Sequence, residues 1–306
     1  MWQYLKRHPD IYMPPAKEPH FFGSDLRFQH SIINGRAPLG DGQFVTHSPW
    51  RYPRTDEDRA RYTSIFADAG DSKRVGEAST WYLYSKEAAL EIKGFNPAAS
   101  IIIMLRNPVD MLLSLHTLYV SLGVERNWDF GEAILACGLR KSKVSVPQEN
   151  TIVSNFMYQS AARYADQIER YLDAFGKSSV HVIIYDDFNR NVAGTYRDTL
   201  RFLDVEPDYQ PDFRVFDPST HARLKALQSL KGRYGQRIRR SLSSALGPVG
   251  PLLLRTLRHL NKFNSRLGQV SATDPDLRRR LQHEFAPDVE RLSQLLNRDL
   301  THWIRE

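Results

Sequence analysis

Residues 100–114 have the sequence SIIIMLRNPVDMLLS. An apolar run of the length and composition of a buried β-strand, IIIML, ends at Arg106. Pro108 suits the first turn of a helix, where its missing N–H costs nothing. Asp110 adds negative charge to the same turn, where such charge is favoured. The stretch therefore predicts a strand, a tight turn and a helix.

A cation and a helix N-terminus then lie together at the carboxyl end of a strand, where open α/β sheets bind their ligands. The helix N-terminus favours an anion, and the fork of the Arg106 guanidinium matches a phosphate group. Ser114 lies further along the helix. It shares that phosphate only if the helix bends or the ligand lies along the turn. The alternative is a buried strand–helix unit in which Arg106 caps or pairs locally.

The chain has 306 residues, which is enough for one large or two ordinary domains. With 41% apolar and 25% charged residues, its composition is that of a soluble globular protein. The formal net charge of +7 indicates acidic partners: a phosphorylated nucleotide, nucleic acid or an anionic membrane.

The cysteine count and the hydropathy pattern indicate where in the cell the protein is expected. Cys137 is the only cysteine, so an intramolecular disulfide and a cysteine-based metal site are excluded, which favours a reducing compartment. No run of 18 apolar residues predicts a membrane-spanning helix, and the N-terminal segment lacks the apolar core of a signal peptide. We therefore expect a cytoplasmic location.

Several other segments have distinctive sequences, LKRHPDIYMPPAKEPHFF at residues 5–22, RVGEASTWYL at 74–83 and VHVIIYDDF at 180–188. Together with residues 100–114 and the apolar pattern of 273–303, they resemble the sulfotransferases of bacterial and carbohydrate type. Those enzymes use 3′-phosphoadenosine 5′-phosphosulfate (PAPS). The Arg-Asn-Pro-Val-Asp run after an apolar strand, with a serine further along, is similar to the segment of that family that binds the 3′-phosphate.

The resemblance implies a set of site residues. Arg106 and Ser114 would hold the 3′-phosphate of PAPS, and Glu18 corresponds to the proposed catalytic base of the family. His20 would assist at the acceptor, and Arg266 lies in the loop that closes over the 3′ side of the nucleotide in relatives. From the residues alone, Glu18 is equally a solvated loop carboxylate, and His20 equally a structural hydrogen-bonding group.

The sequence departs from the family pattern at three positions. Gly23 stands where heparan-type members carry an aspartate, so the resemblance does not extend to a three-residue relay. Thr80 replaces a proline, and Ala78 replaces a lysine of the animal members, which weakens a prediction of polysaccharide sulfate recognition.

A phosphate loop of the Lys-x-Gly-Thr-Thr kind is expected immediately upstream of Trp2, and the chain begins at Met1. The glycine-rich residues 35–42 lack lysine and threonine, and the Gly-Lys-Ser at 176–178 precedes a strand rather than a helix. We expect the true start to lie upstream, so that the first strand and phosphate loop are missing here. The alternative is a degenerate relative.

These observations predict an α/β fold of the P-loop-NTPase-like type. We expect a parallel sheet of four or five strands flanked by helices on both faces, and a helical C-terminal part. The expected organisation is a single sulfotransferase-like domain over residues 1–306, with 208–270 a variable, basic helical insertion. Its basic face is either solvated or docks on an anionic membrane surface or polyanionic acceptor.

The predicted function is in-line transfer of a sulfuryl group from PAPS to the hydroxyl of a carbohydrate, lipid or small molecule. Neither a protein nucleophile nor a metal is required. The alternative is a catalytically impaired nucleotide-binding or scaffold protein of the same fold. A kinase-like enzyme is disfavoured because the Walker lysine and a Mg²⁺-ligand pattern are absent from the sequence. Nucleic-acid binding has only the charge in its favour, since no recognised motif appears.

Overall fold

The computed structural model describes residues 1–15, 17–26, 55–121, 125, 127–141, 154–213, 220–222, 265–267 and 274–305. Their strands are β1 (Ile11–Tyr12), β2 (Arg74–Val75), β3 (Ile101–Leu105), β4 (Val180–Ile184), β5 (Thr220–Ala222) and β6 (Ser265–Leu267). Their helices are α1 (Trp2–Leu5), α2 (Asp56–Ser64), α3 (Ala88–Phe95), α4 (Pro108–Ser121), α5 (Phe130–Lys141), α6 (Ser154–Ala161), α7 (Tyr164–Phe175), α8 (Tyr185–Arg190), α9 (Val192–Phe202) and α10 (Pro275–Leu296).

The predicted mixed α/β class with parallel strands is confirmed. Strand β3 pairs with β4 in parallel from Ile101 opposite Val180 onward, and β1 pairs with β2 in parallel. In the described residues these four strands form two pairs rather than one continuous sheet. Strand β1 is short because Pro14 and Pro15 follow it closely and have no N–H to donate to a ladder.

Helices cover both faces of the β3–β4 pair, as expected. Alternate residues of a strand point to opposite faces, and β3 shows this in its packing. Ile102 packs against the cluster that includes Leu200 of α9 and Ile11 of β1. Ile103 and Leu105 belong to the larger core, which includes side chains of α4, α7 and α10. The predicted strand over 101–105 and the helix beginning at 108 are therefore both confirmed.

The C-terminal part is helical, as expected. The apolar pattern of 273–303 predicts a pair of helices, whereas the structure has a single long helix followed by a short turn. Helix α10 begins after Asp274, whose side chain accepts a hydrogen bond from the Asp276 amide. A 3₁₀ turn at Thr301–Trp303 follows it. There the buried Trp303 indole donates a hydrogen bond to Asp186 at 2.8 Å.

Apolar residues at helical spacing over 154–175 predict one continuous helix. That prediction is wrong, because the chain breaks between α6 and α7. Arg163 has an extended backbone conformation, and Asp288 of α10 accepts hydrogen bonds from the amides of Tyr164 (2.8 Å) and Ala165 (3.3 Å). A carboxylate from a distant helix therefore satisfies the first amides of α7, which a continuous helix would bind internally.

Most of the predicted basic insertion at 208–270 lies outside the described residues, so its helical character stays a prediction. Its described parts include β5 and β6, which pair antiparallel with His221 opposite Arg266. Strand β5 contacts α4. Within the described ranges, no helix has the length and hydropathy needed to cross a bilayer.

Candidate functional site

The N-terminus of α4 is closed by Asn107. Its Oδ1 accepts hydrogen bonds from the amides of Val109 (3.0 Å) and Asp110 (3.4 Å), and its Nδ2 donates to the carbonyl of Trp303 (3.2 Å). Arg278 donates from both terminal nitrogens to the Asp110 carboxylate at 3.0 Å. Two first-turn amides are therefore already bound within the protein, so an anion at this edge would depend on side chains rather than on the helix terminus.

Replacing Asn107 with alanine is expected to lower the free energy of unfolding by about 2 kcal/mol, since it removes both an N-cap and a buried hydrogen bond. Urea unfolding followed by circular dichroism measures this. Asn191→Ala is the matched control, because Asn191 caps α9 at an exposed position through the Gly194 amide at 2.9 Å. It should cost roughly 0.5–1 kcal/mol, and equal losses would contradict a tertiary role for Asn107.

Arg106 directly follows β3 and is partly exposed. Its guanidinium carbon lies 5.1 Å from the centre of the Tyr185 ring, which directly follows β4. Within the described part of the chain, no carboxylate forms an ion pair with Arg106 at 4.0 Å or less. The Tyr164 phenol is nearby, and burial raises its pKa well above the usual range while the Arg106 charge opposes that rise. Among the described residues, the neighbours of Arg106 are therefore two tyrosine rings rather than a carboxylate.

The positions of Ser114 and Arg266 connect them to the proposed phosphate site less directly than that of Arg106. Ser114 is partly buried on α4, and a rise of 1.5 Å per residue puts it roughly 9 Å along the axis from Pro108. A phosphate held by Arg106 would reach it only by lying along the helix. Arg266 belongs to β6 rather than to a loop, and its partner strand β5 contacts α4. The three residues are therefore associated with one strand–helix unit, and their roles stay predictions.

The second candidate centre is the pair formed by Glu18 and His20. The His20 Nε2 and Glu18 Oε2 atoms are 3.2 Å apart, and Lys17 Nζ lies 3.6 Å from Glu18 Oε1. The Glu18 side chain is 9% exposed and that of His20 is 6% exposed. Glu18 is therefore not a solvated loop carboxylate. A largely buried carboxylate in contact with an imidazole is suited to accepting or passing a proton.

Both residues of this pair have a backbone conformation that is rare for side-chain-bearing residues. The φ angles are 59° at Glu18 and 51° at His20, on either side of Pro19. Such left-handed positions cost of order 1 kcal/mol or more each and persist only where the surrounding structure holds them. Strain of this kind concentrates at functional sites, and no pattern in the sequence indicated it.

The backbone conformation at position 23 explains why a glycine stands there rather than an aspartate. Its φ angle is 88°, and a Cβ at this position would lie 3.2 Å from the Ser85 hydroxyl oxygen. Its amide donates to Glu91 at 2.6 Å. An aspartate is therefore disfavoured here on both conformational and steric grounds.

Sequence reasoning missed Glu77 as a functional candidate. This residue follows β2, and its carboxylate accepts hydrogen bonds from Ser79 Oγ at 2.9 Å and from the Tyr62 hydroxyl at 3.4 Å. Burial raises the pKa of Glu77, while hydrogen bonding to Tyr82 and the nearby His20 oppose the rise. Its place inside the Gly-Glu-Ala-Ser segment was the only available signal.

Taken together, the fold and these residues define a parallel α/β protein with a cation after one strand and a buried carboxylate–imidazole pair after another. The chain belongs to the sulfotransferase family, whose sulfotransferase-domain model matches residues 84–240, just over half of its length. The resemblance noted from the sequence is thereby confirmed at the level of the family.

Individual relatives agree with this assignment. The chain is 24% identical to human carbohydrate sulfotransferase 15 over 90% of its own length and 51% of that protein, and 22% identical to the mouse protein over 88% and 50%. It therefore spans about half the length of these curated relatives. The crystal structure of a sulfotransferase from Alicyclobacillus acidocaldarius is 29% identical, with a TM-score of 0.66, over 99% of this chain and 92% of that one.

Proposed function

We propose that the protein transfers a sulfuryl group from PAPS to an acceptor hydroxyl. The observation that carries this proposal is the buried Glu18–His20 pair, 3.2 Å apart, in a chain of the sulfotransferase family. The partly exposed Arg106, which no described carboxylate neutralises, supports the choice of a donor with an additional phosphate.

In the proposed reaction, an oxygen–sulfur bond forms to the acceptor while the bond from sulfur to the 5′-phosphate oxygen breaks. The acceptor hydroxyl loses its proton as its oxygen attacks, and Glu18 takes that proton. The leaving group is 3′-phosphoadenosine 5′-phosphate (PAP), which carries away the bonding electrons. His20 lies against the same carboxylate and would keep it oriented towards the acceptor.

The donor's 3′-phosphate is assigned to Arg106 and Ser114, with Arg266 closing over it. An arginine can bind phosphate through two parallel hydrogen bonds, which adds both energy and orientation. Fixed donors at the 5′-phosphate would stabilise the charge that builds on the leaving group.

A carbohydrate is the acceptor class that the comparisons favour, because the curated relatives are named carbohydrate sulfotransferases. Lipid and small-molecule hydroxyls are the alternatives. A cytoplasmic location and docking of residues 208–270 on an anionic membrane surface are further proposals that rest on the sequence alone.

The test is transfer of label from ³⁵S-PAPS to a panel of oligosaccharides, hydroxylated lipids and phenols. We expect labelled carbohydrate product from the wild-type protein and none above background from Glu18→Ala. Binding of PAP without transfer to any acceptor would favour the alternative of a nucleotide-binding or scaffold protein. Absence of both binding and transfer would contradict the proposal.

A further inference from the structure

The backbone amides around the candidate base, at residues 18 and 20–22, are hydrogen-bonded to residues 78–82. The amide of Glu18 donates to the carbonyl of Ala78 at 3.0 Å, and the amide of His20 donates to Ser79 Oγ at 3.1 Å. The amides of the two following phenylalanines donate to the Tyr82 hydroxyl at 2.7 and 3.2 Å. Backbone amides on both sides of Pro19 are therefore bound by residues 78–82.

One of the two hydroxyls in this arrangement is bound to Glu77. Ser79 Oγ accepts from the His20 amide and donates its own proton to Glu77 Oε2 at 2.9 Å. The Tyr82 hydroxyl accepts from the phenylalanine amides, and burial and the nearby Glu77 carboxylate raise the pKa of that phenol. A hydroxyl that accepts from an amide is a better acceptor when its proton is bound by a carboxylate. Glu77 therefore sets the direction of the Ser79 hydroxyl.

This network acts where the backbone is strained. Glu18 and His20 both have positive φ angles, and neither conformation would persist in an unrestrained loop. Because the amides of both residues are bound by residues 78–79, loss of the Glu77–Ser79 link should release His20 first.

We propose that Glu77 is a positioning residue, which holds His20 against Glu18 through the Ser79 hydroxyl. The assignment of a catalytic consequence rests on the proposed function, whereas the holding of His20 does not. In the absence of this link, His20 leaves its buried position more often and the carboxylate–imidazole contact is lost for part of the time.

The first experiment measures this release without any assay of activity. Diethyl pyrocarbonate labels accessible imidazoles, and peptide mass spectrometry gives the rate for each histidine. His8 and His116 are internal controls, since they are 2% and 6% exposed and His20 is also 6% exposed. In Ser79→Ala and Glu77→Gln we expect His20 to be labelled at least fivefold faster, with changes below twofold at both control histidines.

Tyr62→Phe is the matched control variant. It removes a hydroxyl bound to Glu77 but leaves the Ser79 link to the His20 segment, and the phenylalanine keeps the ring stacked on Phe21 at 4.1 Å. We expect less than a twofold change in His20 labelling. An unchanged His20 rate in Ser79→Ala, or an equal rise at all three histidines, would overturn the proposal, because the effect would then be absent or global.

The second experiment separates this proposal from the proposed function. With an acceptor identified as above, Glu77→Gln should lower kcat at least tenfold while PAP affinity changes less than twofold. In a Glu18→Gln background, where a residual rate is expected, it should have no further effect, since residues acting as one unit are not additive. If Glu18→Ala itself leaves transfer unchanged, the proposed function fails, and the His20 labelling still decides whether Glu77 holds the segment.

Discussion

Replacing Arg106 with alanine is expected to weaken binding of PAP by roughly 10- to 100-fold. A hydrogen bond to a charged group contributes about 1.5–3 kcal/mol, and each 1.4 kcal/mol is a factor of ten in affinity. Arg106 directly follows β3 and stacks on Tyr185. No described carboxylate pairs with the guanidinium. Removing the side chain should therefore lower the affinity for PAP without leaving a carboxylate unpaired.

Isothermal titration with PAP and with AMP measures this effect and assigns it to the 3′-phosphate, which AMP lacks. Arg106→Ala should change the AMP affinity less than twofold. Arg201→Ala is the matched control, because Arg201 is an exposed arginine of α9 paired with Asp198 at 3.1 Å. Equal PAP affinity of wild type and Arg106→Ala would refute the assignment, as would an equal loss for both nucleotides.

Replacing Glu18 with glutamine is expected to lower kcat by a factor of roughly 10² to 10⁴, the usual contribution of a positioned general base. Glutamine has a similar shape and can still hydrogen-bond to His20, but it cannot take up the acceptor proton. The affinity for PAP should stay within twofold of wild type, because Glu18 lies after β1 and is assigned to the acceptor side.

The measurement is the initial rate of label transfer at saturating acceptor, with PAP affinity determined on the same preparations. Asp198→Asn is the control for loss of a carboxylate at an exposed position, where the side chain is 63% exposed. A Glu18→Gln variant that keeps more than a third of the wild-type kcat would show that another group takes the proton. A large loss of PAP affinity would show that Glu18 contributes to donor binding rather than to the acceptor side of the site.

The core strand and its helix could be predicted from the sequence because their causes are local. The apolar run over 101–105 has the composition of a buried strand, and Pro108 sets the start of α4, which begins at that residue. Arg106 lies between them, so its place at the end of a strand follows from two neighbouring signals. A glycine commonly ends a helix, so Gly176 predicts a helix end, and α7 does end there, with a φ angle of 77° at Gly176.

The errors concern elements whose boundaries are decided by distant residues. The periodicity of 154–175 is helical throughout, yet the helix is interrupted because Asp288 binds the amide of Tyr164 from 124 positions away. Such contacts leave no periodic pattern in the sequence, so local propensity predicts the wrong boundary.

The candidate site divides in the same way. The sequence predicted the candidate residues, since Arg106, Glu18 and His20 are each recognisable from the residues around them. Only the tertiary structure decided that Glu18 and His20 are buried in mutual contact. It also decided that Glu77 is linked to the His20 amide through the Ser79 hydroxyl. The physical reason is that burial and hydrogen bonding depend on residues that are distant in the sequence. Ser79 is 59 positions from His20, and the residues around Ser79 do not indicate this hydrogen bond.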